Sequence, residues 1–429
     1  MTKRLFGSIF MASALALLLM VVSMLFFSPS TEAGQPTTVG AAAAQSTQVA
    51  KIKQAAGTWA DVAPFPTVQI EFTPGTTPLK LKRAGAAAYS LNQKIYLLGG
   101  RHGTDGEDTT LRRVFEYTPG SPGSWVQKAA LLDQAPVGSR WTANMAVAEL
   151  TGPAGPKIYA IGGNSIDSVP TPGVRIYDPI ADAVTVDAAD NWPATPARVP
   201  GGWAVVNNKL YIFGGFSALG TGSVFTDTWQ FDPLASAGSK WTLKAPMNLG
   251  RGFIAGAALD GQIYAIGGDT WNGSTLVPVS NVERYDPVAN TWTNMAGLPT
   301  ARGDMGAWAY DSTTNYEISG RIAVAGGPFP VPDALGYLYN PTTNSWSSFP
   351  SMNHATRNYG YAQLNGYLYA LGGYDYTLGT PSGANFNQRY DATQSQGTPT
   401  PTVTGTLPTS TQTGTATRTS TGVPGTNTP

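Results

Sequence analysis

Two histidines and a scatter of carboxylates are the side chains of this 429-residue chain that could do acid–base or metal chemistry. The richest segment, residues 102–108, combines one imidazole with three carboxylates: His102, Asp105, Glu107 and Asp108. An oxygen-rich loop suits calcium, but these groups lack the ordered spacing of a dedicated calcium loop. We therefore interpret the segment as a solvated acidic turn and predict no metal site.

Composition excludes several other kinds of chemistry. The sequence contains no cysteine, which rules out thiol catalysis, iron–sulfur clusters and cysteine-ligated zinc. Lysine plus arginine balance aspartate plus glutamate at 26 each, and no basic stripe favours nucleic acid. The second histidine, His354, is expected to be a loop or strand-edge residue. We predict neither a cofactor nor a nucleic-acid partner.

The strands and turns that position these side chains are indicated by a sequence pattern that recurs six times. Six short apolar runs each end in a glycine pair: Gly99-Gly100, Gly162-Gly163, Gly214-Gly215, Gly267-Gly268, Gly326-Gly327 and Gly372-Gly373. An aromatic residue followed by a turn comes next, at Tyr117, Tyr177, Phe231, Tyr285, Tyr339 and Tyr390. Tryptophan then follows in four units, at Trp125, Trp241, Trp292 and Trp346. The second unit departs from this pattern, because Val184 stands at that position and Trp192 is displaced.

An arginine also precedes each unit. The six are Arg83, Arg140, Arg198, Arg251, Arg302 and Arg357, with spacings of 51 to 58 residues. A residue that recurs once per unit usually serves that unit. We therefore interpret all six as structural, bonding the carbonyl groups of neighbouring strands.

Each unit contains four short β-strands, and four antiparallel strands around a central axis form a propeller blade. The order Arg, Gly-Gly, Tyr-Asp-Pro, Trp resembles the kelch repeat. The sequence thus predicts an all-β fold, a six-bladed kelch β-propeller of four-stranded antiparallel blades over residues 57–396. The sixth unit stops before its tryptophan strand, whereas Gly57-Thr58-Trp59 resembles the missing one. We expect this N-terminal strand to close the ring and cover two sheet edges.

Blade topology brings one set of segments to the same face. The residues after each glycine pair and those before each first strand surround one mouth of the central channel. In kelch proteins of the ubiquitin-ligase adaptor type, these positions hold a peptide partner. The candidate ligand-binding residues are Arg101, His102, Trp141, Asn164, Phe216, Phe253, Asp269, Trp271, Asp304, Phe329, Asn358, Tyr359, Tyr374, Asp375 and Tyr376. Aromatic planes with dispersed charges suit a sugar or a protein hot spot, and the alternative is that several rings pack between blades.

Catalysis at the mouth is a separate question. Galactose-oxidase-like copper enzymes need a cysteine and two histidines together, whereas this chain has no cysteine and its histidines lie in different units. Paired-carboxylate chemistry stays open, because only distances decide it. The layout also resembles an exported sialic-acid epimerase, but a fold does not carry a function.

The two ends differ in composition from the repeats. Lys3 and Arg4 precede a nearly uninterrupted apolar run, so residues 1–33 are expected to be a cleaved signal peptide or a membrane anchor. Residues 34–56 are expected to be a linker. Residues 397–429 form a Thr/Pro/Ser-rich tract that is expected to be a disordered spacer.

We therefore expect a secreted or cell-surface, monomeric binding module that recognises a glycan or an extracellular protein at the mouth. Contact with a membrane is expected only through the N-terminal segment. One alternative is a carbohydrate-active enzyme. The other is a structural or adhesion unit of a larger surface protein.

Overall fold

A computed structural model of the chain contains six four-stranded antiparallel sheets, which form the blades. The residues that the structure describes are 57–68, 77–104, 109–132, 143–164, 169–217, 223–377 and 381–393. Every regular element within these ranges is a β-strand. The structure thus confirms the predicted all-β, six-bladed propeller. The predicted leader, linker and C-terminal tract lie outside the described residues.

The blades follow one another in chain order, and so do the strands within each blade, except that blade six takes its fourth strand from the N-terminal side. Blade one contains Gly85–Tyr89, Lys94–Leu98, Arg113–Thr118 and Ser124–Leu131. Blade two contains Ala146–Gly152, Gly155–Ile161, Val174–Asp178 and Ala183–Val186. Blade three contains Gly202–Val206, Lys209–Phe213, Thr228–Phe231 and Trp241–Lys244. Blade four contains Ala255–Leu259, Gln262–Ile266, Val282–Asp286 and Thr291–Met295. Blade five contains Gly306–Tyr310, Arg321–Ala325, Gly336–Asn340 and Ser345–Phe349. Blade six contains Gly360–Leu364, Tyr367–Leu371, Asn387–Asp391 and Trp59–Val62.

Shorter strands connect or cover the blades. Thr67–Val68 pairs with Thr77–Pro78, Asp269–Trp271 with Leu276–Pro278, and Tyr374–Asp375 with Ser382–Gly383. Leu81–Lys82, Arg101–His102 and Thr109–Thr110 form a small three-stranded sheet. No helix in the described ranges is long and apolar enough to cross a bilayer, and the apolar N-terminal segment is not among them.

The N-terminal strand closes the ring as predicted. Trp59–Val62 pairs with Asn387–Asp391, with Trp59 opposite Tyr390. The Trp59 ring packs on Trp308 and Tyr390, and its indole nitrogen donates to the carbonyl of Pro350. This one strand therefore joins the start of the repeats to blades five and six.

The glycine pairs end the second strands because neighbouring blades approach there too closely for a side chain. Gly268 has a φ of 102°, and a Cβ on it would lie 2.5 Å from the carbonyl oxygen of Gly252. Its N–H donates to the carbonyl of Arg302 in the segment that leads into the next blade. Gly215 donates in the same way to Arg251. Each such glycine thus bonds one blade to its neighbour.

The aromatic-turn and tryptophan positions also serve the blades. In blade four, Asp286 accepts hydrogen bonds from the N–H groups of Val288 and Ala289, which caps the turn. The indole of Trp292 donates to the carbonyl of Ala245 in blade three. Trp346 and Trp241 make the equivalent bonds to the blades before them.

Blade two forms its outer strand without the tryptophan. Val184 lies opposite Tyr177 in the strand pairing. The displaced Trp192 is buried and stacks on Trp241 of blade three, with 6.4 Å between ring centroids. It therefore fills the gap between these two blades from a different point of the chain.

Aromatic rings of the first strands narrow the central channel. The first strands of neighbouring blades contact one another around the ring and carry many alanines. Among them Trp203 stacks on Tyr361, and Trp308 packs edge-on against the same tyrosine. The mouth beside the glycine pairs consequently has a floor.

Candidate functional site

Five residues with left-handed backbone surround the mouth. Each lies two positions before the first strand of its blade, and together they are Arg83, Asn144, Phe253, Asp304 and Asn358, with φ between 50° and 61°. Their backbones form a chain of hydrogen bonds across the blades. In each bond, a backbone N–H of one rim residue donates to the backbone carbonyl of another, over 2.8 to 3.1 Å. The donor and acceptor pairs are Asp304 and Phe253, Asn358 and Asp304, Arg83 and Asn358, and Asn144 and Arg83. This rim fixes where five side chains of four different types enter the mouth.

Three of the recurring arginines behave as the repeat predicts. Arg198, Arg251 and Arg302 lie four positions before their first strands. Arg251 is buried, donating to Glu283 at 2.8 Å and to the carbonyl of Ala265 at 3.1 Å. Arg302 bonds Asp333 and the carbonyl of Gly326 in the same manner. These arginines support their own blades.

Arg357 and Arg83 do not support their own blades in this way. The prediction that all six arginines are structural is therefore wrong for these two. The carbonyls of Arg251 and Arg302 accept an N–H bond from the second glycine of the preceding blade's pair. In blade six the residue whose carbonyl accepts this bond is Thr356, and in blade one it is Leu81. Arg357 comes one residue later and Arg83 two residues later. This small offset directs both guanidinium groups to the mouth. Arg140 lies outside the described residues.

The mouth contains a cavity of about 210 Å³ between blades one, four, five and six. Its lining residues are Arg83, Phe253, Asp269, Trp271, Ser274, Thr275, Leu276, Asp304, Phe329 and Arg357. Trp271 stands on the short hairpin that follows the fourth glycine pair and is half-buried. Phe329 is 38% exposed. The cavity therefore combines aromatic walls with four ionisable groups.

Arg357 is the centre of a buried polar network. Its Nη1 donates to Asp304 Oδ2 at 3.0 Å, and its Nε and Nη2 donate to the hydroxyl of Tyr376. The guanidinium also lies 4.0 Å from the ring centroid of Tyr374 and 5.1 Å from that of Phe329. These contacts fix Arg357 and neutralise it through Asp304.

Asp269 is the least satisfied carboxyl group in the cavity. The residue is 1% exposed, and its Oδ1 is buried without a hydrogen-bond partner among the described residues. A Cβ on Gly303 would lie 2.7 Å from this Oδ1, so only glycine leaves room for it there. Burial, together with the nearby carboxylate of Asp304, raises the pKa of Asp269 to about 8, against the opposing effect of Arg357.

Asp304 shares this environment, but its Oδ2 accepts a hydrogen bond from Arg357, whereas its Oδ1 has no partner among the described residues. Burial raises its pKa as well, whereas Arg357 and Arg83 lower it. Two carboxyl groups that repel each other do not both ionise readily, and the one bonded to a guanidinium keeps the charge. We therefore assign the negative charge to Asp304 and the proton to Asp269 at neutral pH.

The structure brings together only part of the predicted set. Phe253, Asp269, Trp271, Asp304 and Phe329 line the cavity, and Tyr374 and Tyr376 pack on Arg357. Asn358 lines the adjoining recess above the channel floor. Tyr359 is buried and donates its hydroxyl to the carbonyl of Ala325, so it packs between blades.

The remaining predicted residues lie elsewhere. Phe216 is buried behind Phe253, with 4.7 Å between ring centroids, and Asn164 accepts from the amide of Asn144. Asp375 caps its own turn by accepting from Thr377 N–H. Arg101 and His102 belong to the small three-stranded sheet beside blade one. Trp141 lies outside the described residues.

Neither histidine has a catalytic setting in the described residues. Burial and nearby Lys80 lower the pKa of His102, whose Nδ1 accepts from the Lys80 N–H. His354 stacks on Phe386 and lies 3.1 Å from Asp61 beside the closing strand. The described residues contain no group of three or more His, Asp or Glu side chains that could hold a metal ion. The acidic residues 105–108 fall outside them.

Sequence reasoning did not assign Arg83 and Arg357 to the site. Arg251 and Arg302 are each followed by glycine, whereas Arg83 and Arg357 are not. Arg198 has the structural position but is followed by Val199, so the next residue alone does not mark the offset.

Comparison with known proteins agrees with this architecture. The family model for the kelch motif matches residues 197–248 and 250–299, which contain blades three and four. Kelch-like protein 25 of Xenopus tropicalis is 29% identical over 229 residues, covering 51% of this chain and 35% of that protein. An F-box/kelch-repeat protein of Arabidopsis thaliana is 26% identical over 156 residues, covering 34% and 32%. Human Kelch-like protein 15 is 27% identical over 241 residues, covering 52% and 36%.

These matches span about a third of the length of each relative. The two kelch-motif matches fall on blades three and four of the six blades that the structure shows. The chain contains kelch motifs and is similar to kelch-repeat proteins.

Proposed function

We propose that this propeller is a binding module that takes up a side chain of a protein partner in its mouth cavity. The kelch propeller indicates a protein-binding module. The observation that carries the choice of site is the cavity between blades one, four, five and six, which joins aromatic walls to buried charges. Aromatic and arginine anchors in a desolvated pocket are the groups that dominate binding energy at protein interfaces.

A peptide-library selection on the purified protein tests this proposal. Peptides that bind the unmodified protein should bind at least about tenfold more weakly to Trp271→Ala, because the ring forms one wall of the cavity. Leu234→Ala removes an exposed apolar side chain of blade three and serves as the control. Equal binding to the unmodified protein and Trp271→Ala would place the binding surface elsewhere.

A glycan array run with the same variants separates the other possible functions. Glycans that bind through Trp271, with no peptide selected, would favour a carbohydrate-binding mouth. No binding partner in either screen would favour a structural or adhesion role.

A carbohydrate-active enzyme is the second candidate, and the network of Arg357, Asp304 and Tyr376 beside Asp269 is the observation that favours it. One protonated and one ionised carboxyl group are the pair that general acid–base catalysis requires. Turnover of an oligosaccharide or sugar-acid panel, followed by NMR, distinguishes the two candidates. An enzyme should lose turnover in Asp269→Asn while retaining binding, whereas a module shows binding without product.

We also propose that the propeller acts outside the cytoplasm. The support is the sequence alone, with Lys3 and Arg4 followed by an apolar segment. Expression of the full chain followed by fractionation and N-terminal sequencing tests this proposal. Recovery from the cytoplasm with an intact N-terminus would contradict it.

A further inference from the structure

The mouth cavity contains three ionisable side chains with buried atoms that lack a hydrogen-bond partner among the described residues. They are the Nε and Nη1 atoms of Arg83 and the Oδ1 atoms of Asp269 and Asp304. The other carboxylate oxygen of Asp304 already bonds Arg357, whereas Arg83 and Asp269 have no such ion pair within the described ranges. Buried polar groups without partners are costly, so a ligand that bonds Arg83 and Asp269 would remove part of that cost. All three residues line the same cavity.

The charges of the cavity do not balance when the mouth is empty. Arg357 and Asp304 form an ion pair, and Asp269 retains its proton at neutral pH. The guanidinium of Arg83 is then the uncompensated charge among the cavity-lining residues, which leaves the cavity with a net positive charge. A ligand with one negative charge would neutralise it, whereas a cation would first have to drive the proton from Asp269.

The volume of the cavity limits the size of that ligand. A cavity of about 150 Å³ accommodates a benzene ring, so about 210 Å³ suffices for a single ring or a short side chain with one polar head. Phe253, Trp271 and Phe329 supply apolar contact for its body. Arg83 and Asp269 are then available to bond its polar head group.

We propose that the mouth cavity binds a carboxylate, held between the guanidinium of Arg83 and the protonated carboxyl group of Asp269. Arg83 supplies the charge-assisted N–H donors, and Asp269 donates its O–H to the second carboxylate oxygen. The ligand thus binds together with a proton already present on the protein. This inference rests on the proposed use of the cavity as a binding site.

The groups that set the proton occupancy of Asp269 come from three other blades. Asp304 of blade five raises its pKa and Arg357 of blade six lowers it, while Arg83 of blade one acts on Asp304. With a pKa of about 8, the protonated fraction falls about tenfold between about pH 7 and about pH 9. Carboxylate affinity should fall by the same factor.

Three probes that share one ring and differ in the charge of the head group test the proposal: benzoate, benzamide and benzylammonium. Their dissociation constants are measured by NMR titration of the purified protein at about pH 7 and about pH 9, following the Trp271 indole signal. We expect benzoate to bind most tightly at the lower pH and about tenfold more weakly at the higher one. Stronger binding of benzylammonium, or affinity that rises with pH, overturns the carboxylate assignment while leaving the cavity as a binding site. Failure of all three probes to perturb Trp271 overturns both proposals.

Two variants separate the roles of the two groups. Asp269→Asn keeps an N–H donor of similar size at every pH, so benzoate should bind with nearly constant affinity across the pH range. Arg83→Met should weaken benzoate at least about tenfold, whereas Arg321→Met, at an exposed arginine of blade five, should not. A pH dependence that survives in Asp269→Asn would assign the proton to another group and overturn the inference.

The source of the carboxylate is distinguished with two further ligands. N-acetylglutamate N-methylamide presents a peptide side chain, and glucuronate presents a sugar acid. Preference for the first fits the proposed protein partner, and preference for the second indicates an acidic glycan. If each binds no better than its neutral amide, the carboxylate assignment is wrong.

Discussion

The proton on Asp269 should be visible in the stability of the protein. The folded-state pKa of about 8 lies above the usual 3.8, so the folded protein binds more protons than the unfolded chain between these values. Stability therefore falls as pH rises from about 4 to about 8, by up to about 1.4 kcal/mol per pH unit. We predict that Asp269→Asn abolishes this loss, so that its melting temperature increasingly exceeds that of the unmodified protein across this window.

Thermal unfolding measured from acidic to mildly alkaline pH checks this expectation. Asp375→Asn is the control, because that carboxylate caps a turn at the protein surface. Melting curves of Asp269→Asn that run parallel to the unmodified protein at all pH values would refute the buried proton.

At the scale of the elements, the arginines before the first strands should differ in their effect on stability. Arg251 and Glu283 are both almost fully buried, so Arg251→Met leaves a buried carboxylate without its cation and should cost about 3–5 kcal/mol. Arg198→Met should cost only about 1–2 kcal/mol, because its partner Asp227 is 35% exposed and water compensates it. Urea unfolding of the two variants measures the difference. Equal losses would show that burial of the partner does not decide the contribution of these arginines.

At the scale of the whole molecule, closure of the ring is the feature on which stability should depend. Removing residues 57–64 deletes the strand paired with Asn387–Asp391 and leaves that edge, together with the Trp59 site, open. Trp59→Ala alone should cost about 3–5 kcal/mol as a large-to-small core substitution. We predict a far lower melting temperature for the 57–64 deletion than for deletion of 397–429. Similar melting temperatures for the two deletions would contradict the closing role of Trp59–Val62.

The repeat pattern was enough to predict the blades and their number. Glycine pairs, aromatic turns and tryptophans recur because each blade needs the same close approach, the same cap and the same contact with its neighbour. Gly268, Asp286 and Trp292 show these three needs within one blade. Closure was also predictable, because a missing last strand and an extra first strand of the same pattern have one simple solution.

The chemistry of the mouth was decided by the tertiary structure. Asp269, Asp304, Arg357 and Arg83 belong to four different blades, and only ring closure places them around one cavity. The left-handed rim positions carry no shared residue type, and a shift of one or two residues separates a structural arginine from a mouth arginine. Residues that recur in every unit have a structural role that each blade needs. The site is made from residues that do not repeat, so their meeting depends on packing between blades rather than on any local pattern.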